Sequence, residues 1–248
     1  MPDPALVVAT MTLARDPSEE VLIARALRVL AAPGRRVIAT DGGSREAFLR
    51  EIGDVPGVTV VTPGYGRGLL AQMQTSLALA QALGAPAVLY TEPDKLRFFE
   101  SAVDGFVDAA LPQLEQAGVV LAGRDARSFA TYPAVQQAVE RDVNDACARV
   151  TGTVADYCYG PFLLKRELLP YVLALTEDVG WGWRPYVFAV AHTLGLGIRV
   201  IHGDHPCPEG QLLDGGTERR HRLRQREQNL HGLRLATPPP PLPLPAAM

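Results

Sequence analysis

The stretch Val88-Leu-Tyr-Thr-Glu-Pro-Asp-Lys-Leu-Arg-Phe-Phe-Glu100 decides the reading of this chain. A short apolar run, "AVLYT", has the length and content of a buried strand. It stops at two carboxylates one residue apart, Glu92 and Asp94, and a helical pattern begins at once. Like charges so placed repel unless something positive lies between them. A divalent cation fits that position, and Mg²⁺ or Mn²⁺ prefers carboxylate and phosphate oxygens. The plainer alternative is that Asp94 caps the next helix and Glu92 is solvated beside Lys95.

Working outward, the same grammar recurs. "ALVVATM" is a strand and "PSEEVLIARALRVLAA" a helix, with Ser18 as its expected N-cap. "RRVIAT" is a strand ending at Asp41-Gly42-Gly43. "SREAFLREI" is a helix, "VTVVTP" a strand, "LLAQMQTSLALAQAL" a helix and "GVVLAG" a fifth strand. The segment from Lys95 to Gln116 reads as mostly helical, ended or kinked by Pro112. Alternation of this kind predicts an α/β fold: helices on both faces of a mainly parallel central sheet. Ligands bind beyond the carboxyl ends of such strands.

The second half is less regular. Residues 133–152 read as a helix ending at Gly152, and "YCYGPFLLKRELLPYVLAL" mixes a strand with a short helix. A helix follows the aromatic loop "EDVGWGWRPY", then the strand "IRVIHGDH" and a basic helix from Gly216. The expected organisation is one domain over residues 1–236. Residues 1–124 would form a nucleotide-binding half, and 125–236 an acceptor half with the C-terminal helix. The tail 237–248, "TPPPPLPLPAAM", reads as extended or disordered.

The bulk numbers exclude several classes. A chain of 248 residues with 47% hydrophobic content can bury a large core. A net charge of −3 argues against a general nucleic-acid binder. No run is long enough to span a membrane. Cys147, Cys158 and Cys207 lack zinc or disulfide spacing, which fits reduced thiols and a cytoplasmic protein.

Most of the candidate site residues follow strands. Thr10 and Thr12 close the first strand. Asp41 can bond a ribose hydroxyl or a base edge, or simply hold its turn. In "PGYGRGLL", Gly66 and Gly68 admit a ligand's approach, Arg67 can pair with phosphate, and the next helix offers its N-terminus. There is no Walker motif. Glu177 and Asp178 can take a proton from an acceptor hydroxyl. Trp181 and Trp183, with Arg184, can form an acceptor platform, or the tryptophans can pack in the core. His202 or His205 can complete a metal shell begun by Asp94, or lie at the surface. His221 and its arginine-rich helix can touch phosphate, or be a solvated face.

In this order the loops resemble those of nucleotide-sugar-dependent glycosyltransferases of the GT-A fold, over roughly residues 5 to 205. "TDGGS" stands where that family has its aspartate after the second strand, "GRG" where it has a glycine-rich segment, and Glu92-Pro93-Asp94 where it has its DxD-type metal motif. The resemblance implies a transfer from a UDP-, GDP- or ADP-sugar to the hydroxyl of a small acceptor, with Mg²⁺ or Mn²⁺. "EDVGWGWR" resembles the acidic segment of the large inverting family, implying Asp178 as base. The stretch Gly180–His205 resembles glucosyl-3-phosphoglycerate and mannosylglycerate synthases, retaining enzymes whose histidine after the last strand binds metal. That favours His205, with His202 as alternative. The two likenesses disagree on stereochemistry, which stays open. Here Glu replaces the first Asp, Pro93 stiffens the middle position, and Lys95 adds a positive charge. A homodimer through the C-terminal helix is a further expectation. A nucleotidyltransferase acting on a sugar phosphate and a non-catalytic nucleotide-sugar binder are the competing readings. The first lacks a glycine-rich basic loop after strand one.

Overall fold

A computed structural model describes residues 6–63, 68–212 and 215–236. Its first half follows the expected alternation: β1 (Leu6–Thr12), α1 (Pro17–Ala31), β2 (Arg36–Asp41), α2 (Glu46–Gly53), β3 (Val58–Val61), α3 (Leu69–Ala82) and β4 (Ala87–Thr91). Then come α4 (Leu96–Ser101), α5 (Val103–Ala110), β5 (Val119–Arg124), α6 (Ala126–Phe129) and α7 (Ala134–Thr151). The chain continues through β6 (Phe162–Lys165), α8 (Leu169–Leu173), α9 (Trp183–Thr193), β7 (Ile198–Gly203) and α10 (Gly216–Leu235).

The seven strands form one sheet in the order β3-β2-β1-β4-β6-β5-β7. Every neighbouring pair is parallel except those made by β6, which runs antiparallel to both β4 and β5. β1, β4 and β5 are buried along their whole length, as strands covered on both faces must be. Their side chains alternate between two cores. Val7, Ala9 and Met11 join the cluster under α3, α7, α8 and α9. Leu6 and Val8 join the one under α1, α2, α4 and α5. The result is a three-layer α/β/α sandwich.

Two local expectations are corrected. The N-cap of α1 is Asp16, not Ser18: its Oδ1 accepts from the amides of Ser18 at 2.8 Å and Glu19 at 3.0 Å, with Pro17 at the first helical position. A Pro at that position has no amide to leave unpaired, so the cap sits just before it. The long helix expected after Lys95 is two helices, broken at Ala102 (φ −139°), and Pro112 opens a separate 3₁₀ turn. The expected end of α7 is observed: Gly152 takes φ +70° and caps it, a conformation glycine adopts without strain. The tail 237–248 lies outside the described residues.

Candidate active site

Because six strands run parallel, β1, β2, β4, β5 and β7 end at one edge, and β6, running the other way, begins there. A cleft of about 880 Å³ opens at that edge. Its floor carries Thr12 from β1 and Glu92, Asp94 and Lys95 from the turn after β4. Tyr159, from the approach to β6, makes one wall; Trp181 and Arg184 make another. His221, Arg222 and Gln225 of α10 close it from above.

The turn after β4 is short because Pro93 starts a 3₁₀ turn, Pro93–Lys95, directly from the strand. Glu92 and Asp94 therefore face different partners. Glu92 Oε1 lies 3.4 Å from Arg184 Nη1, and both side chains are nearly buried. Burial works against the Arg184 charge, but Glu92 together with the other acidic groups around it, Glu140 among them, outweighs that and raises its pKa above the usual guanidinium value. The Arg184 guanidinium carbon also lies 4.9 Å from the Trp181 ring, a cation–π contact. Arg184 Nε has no hydrogen-bond partner. Asp94 Oδ2 accepts from Lys95 Nζ at 2.5 Å, while its Oδ1 is buried without a partner.

A second, small cavity of about 20 Å³ lies on the far side of Tyr159. Asp94, Lys95, Asp204 and His205 line it. That volume holds one water-sized occupant. His205 stacks on Tyr159 with ring centroids 5.0 Å apart and planes 3° apart. Burial lowers its pKa, against the pull of Asp204, so the neutral imidazole that a metal requires is favoured. His202 is elsewhere: it is exposed on the edge strand β7, with Nδ1 3.1 Å from the Arg124 carbonyl. Of the two histidines, His205 is the one beside Asp94.

A divalent cation fits this donor set in a limited way. No group of three His, Cys, Asp or Glu converges among the described residues. Asp94 and His205 both line the small cavity, Asp94 Oδ1 is buried without a partner, and Mg²⁺ is commonly held by one or two carboxylates plus phosphate oxygens and water.

Several expected contacts are placed differently. Thr10 is fully buried two residues below the edge, paired in register with Thr91, so it does not reach the cleft. Asp41 is also buried, and both its oxygens are committed. Oδ1 accepts from the amides of Gly43 (2.8 Å) and Ser44 (2.6 Å); Oδ2 accepts from Thr12 Oγ1 (2.9 Å) and Ser44 Oγ (2.6 Å). It holds the β2–α2 turn and leaves no acceptor for a nucleotide. Trp183 is fully buried, packed edge-on against Tyr90 at 4.6 Å, so of the two tryptophans only Trp181 faces the cleft. Asp178 does not line the cleft either. Its Oδ1 accepts from the Gly180 amide at 3.0 Å and its Oδ2 sits against Gly68, the N-cap of α3, where a Cβ would collide with it. Glu177 pairs with His231 at 2.6 Å. Gly66 and Arg67 lie outside the described residues.

The sequence reading missed a buried clamp behind the wall. Arg124, at the end of β5, bonds Asp156 through Nε (2.6 Å) and Nη2 (2.9 Å), and Glu140 through Nη2 (2.6 Å). Asp156 also accepts from the amides of Arg124 and Cys158. The clamp fixes the approach to β6 and so places Tyr159 and Gly160. "AGRD" carried a faint signal, since a charge inside an apolar strand requires partners. The roof of the cleft is fixed differently. Gly182 and Gly232 bring the turn Gly180–Gly182 and α10 into backbone contact; a Cβ on Gly182 would press into the Gln228 carbonyl.

No family model matches the chain, and no curated protein matches it. Solved structures do. Glucosyl-3-phosphoglycerate synthase from Mycobacterium tuberculosis, in complex with UDP, is 18% identical over 92% of this chain and 80% of its own, with a TM-score of 0.60. A complex of that synthase with Mn²⁺, UDP-glucose and phosphoglyceric acid gives 0.59 with the same identity and coverage. Mannosyl-3-phosphoglycerate synthase from Rubrobacter xylanophilus is 13% identical over 98% of this chain and 78% of its own, with a TM-score of 0.67. With the sheet order and the single antiparallel strand, these likenesses establish that the chain shares the α/β fold of these two synthases, the GT-A type expected from its loops.

Proposed function

We propose that this protein transfers a glycosyl group from a nucleoside diphosphate-sugar to the hydroxyl of a small anionic acceptor of the phosphoglycerate class. The observation that carries the reading is Asp94. Its carboxylate stands at the floor of the 880 Å³ cleft with one oxygen buried and unpartnered. The solved structures of like fold support the same substrates: one was captured with Mn²⁺, UDP-glucose and phosphoglyceric acid.

In the reaction the anomeric carbon exchanges its bond to the diphosphate oxygen for a bond to the acceptor oxygen, and the acceptor hydroxyl's proton passes to the departing diphosphate. Charge builds on the departing diphosphate. Asp94 and His205 would hold a Mg²⁺ or Mn²⁺, which would supply Lewis-acid neutralisation of that charge. The chain's own residues do the rest. Lys95 adds a positive charge on the same side. Thr12 borders the nucleotide end of the cleft, in the half formed by residues 1–124. Trp181 and Arg184 receive the acceptor, the ring against its carbon skeleton and the guanidinium against its anionic group. His221 and Arg222 add positive character overhead, and α10 screens the reacting atoms from bulk water.

Calorimetric titration with UDP, GDP and ADP, each with and without Mn²⁺, tests the reading. Metal-assisted binding of one diphosphate is the expected result and names the donor base. Binding of none removes the proposal. Tighter binding of a triphosphate points to a nucleotidyltransferase.

A further inference from the structure

We infer that Lys95 is an internal competitor for the cation at Asp94, and that an arriving diphosphate draws it off. Metal and nucleotide binding are thereby coupled through one side chain. The inference rests on the proposed reading of the cleft as a diphosphate site.

Lys95 Nζ stands 2.5 Å from Asp94 Oδ2. Its side chain is only 17% exposed although Asp94's is 42% exposed, so the ammonium is not a loose surface partner. It is held in place from two sides. Nζ lies 5.9 Å from the centroid of the Tyr159 ring. Its Cε passes over Gly160, whose φ of +125° and missing side chain leave the space. A Cβ there would meet both Lys95 Cε, at 3.3 Å, and the carboxylate of Glu92. Lys95 thus places its ammonium on Asp94 while its stem passes beside Gly160, and Glu92 pairs instead with Arg184. Lys95 lines the cleft and the small cavity beside His205 alike.

An ammonium bonded to one oxygen of a carboxylate repels a divalent ion approaching the other. With no nucleotide bound, Asp94 is thus a poor metal ligand. A diphosphate offers oxygens of higher charge density than one carboxylate, and the lysine stem is flexible enough to follow them. Once Nζ has moved to phosphate, Asp94 is free for the metal. Linkage makes the effect reciprocal: whatever nucleotide does for the metal, the metal does for nucleotide.

Mn²⁺ is titrated calorimetrically into the full chain, alone and with saturating UDP, GDP or ADP, for wild type, Lys95→Gln and Lys95→Met. Thermal melting confirms that each variant is folded. Wild type is expected to bind Mn²⁺ about tenfold or more tightly with the preferred nucleotide than without it. Lys95→Gln should bind Mn²⁺ about tenfold more tightly than wild type when no nucleotide is present, and the metal-free diphosphate several-fold more weakly. Unchanged Mn²⁺ affinity in both nucleotide-free variants, with normal nucleotide binding, overturns the role of Lys95 and leaves the site reading intact. Failure of all three nucleotides to bind wild type with Mn²⁺ overturns both.

Discussion

Two buried arginines, Arg184 in the wall of the cleft and Arg124 behind it, have different surroundings. Arg124 is saturated: two carboxylates take its guanidinium at 2.6 to 2.9 Å. Arg184 has one carboxylate at 3.4 Å, a tryptophan face, and a buried Nε with no partner. Both sit in low-dielectric surroundings, where an unmatched polar atom is costly. The first arrangement is framework, complete in itself. The second leaves a donor unmatched, in keeping with the proposed role of Arg184 toward an anionic acceptor. Asp41 and Asp94 repeat the contrast: one has every lone pair taken, the other has an oxygen with no partner.

The largest effect should come from breaking the framework. Arg124→Met strands Asp156 and Glu140 together, and such a loss typically costs about 3–5 kcal/mol. Denaturant unfolding measures it, and an unchanged midpoint would remove the clamp from the framework. Asp94→Ala should do the reverse. Turnover should fall about a thousandfold, roughly 4 kcal/mol of transition-state stabilisation, with the unfolding midpoint unmoved. Retained turnover would take Asp94 out of the site.

A smaller change separates charge from geometry. Arg184→Lys keeps the cation but loses the planar fork and its stacking on Trp181. We expect kcat/KM for the acceptor to drop about tenfold, some 1.4 kcal/mol, mostly through KM. An equal fall with every acceptor, charged or neutral, would show that Arg184 serves the fold rather than the anion.

The smallest effect is one of pH. Burial pushes the Asp156 carboxyl up, but Arg124 outweighs it and holds the pKa below its ordinary value of 3.8. The unfolded chain therefore takes up this proton first. The contribution of Asp156 to stability is complete above about pH 3.8 and is lost as pH falls through the lower folded value. Asp156→Asn should flatten the stability profile in that acid window and leave its shape at neutral pH unchanged.

The contrast also explains what the sequence could convey. The inner strands were legible because β1, β4 and β5 are mostly apolar, wholly buried runs that stop at turn residues. The cluster Thr12, Glu92, Asp94 was legible because topology alone sends those positions to one edge. Partnership was not legible. Nothing in "TDGGS" says that Asp41 is saturated by its own turn. Trp181 and Trp183 are two residues apart on a turn entering a helix, and only packing against Tyr90 decides which one is buried. His202 and His205 separate because one is still on the edge strand and the other has rounded the corner onto Tyr159. The direction of β6 was equally hidden, since four residues, "FLLK", read the same either way.

That reversed strand has a kinetic side. β6 lies between β4 and β5, yet follows both in the chain. Until residues 162–165 insert, two wholly buried apolar strands each present an open hydrogen-bonding edge. Closure joins segments about 75 residues apart along the chain, and non-local pairing of this kind is slow. Folding intermediates of this protein should therefore be most prone to self-association before that strand inserts, and Tyr159 and Gly160 can reach the cleft only when the same step completes.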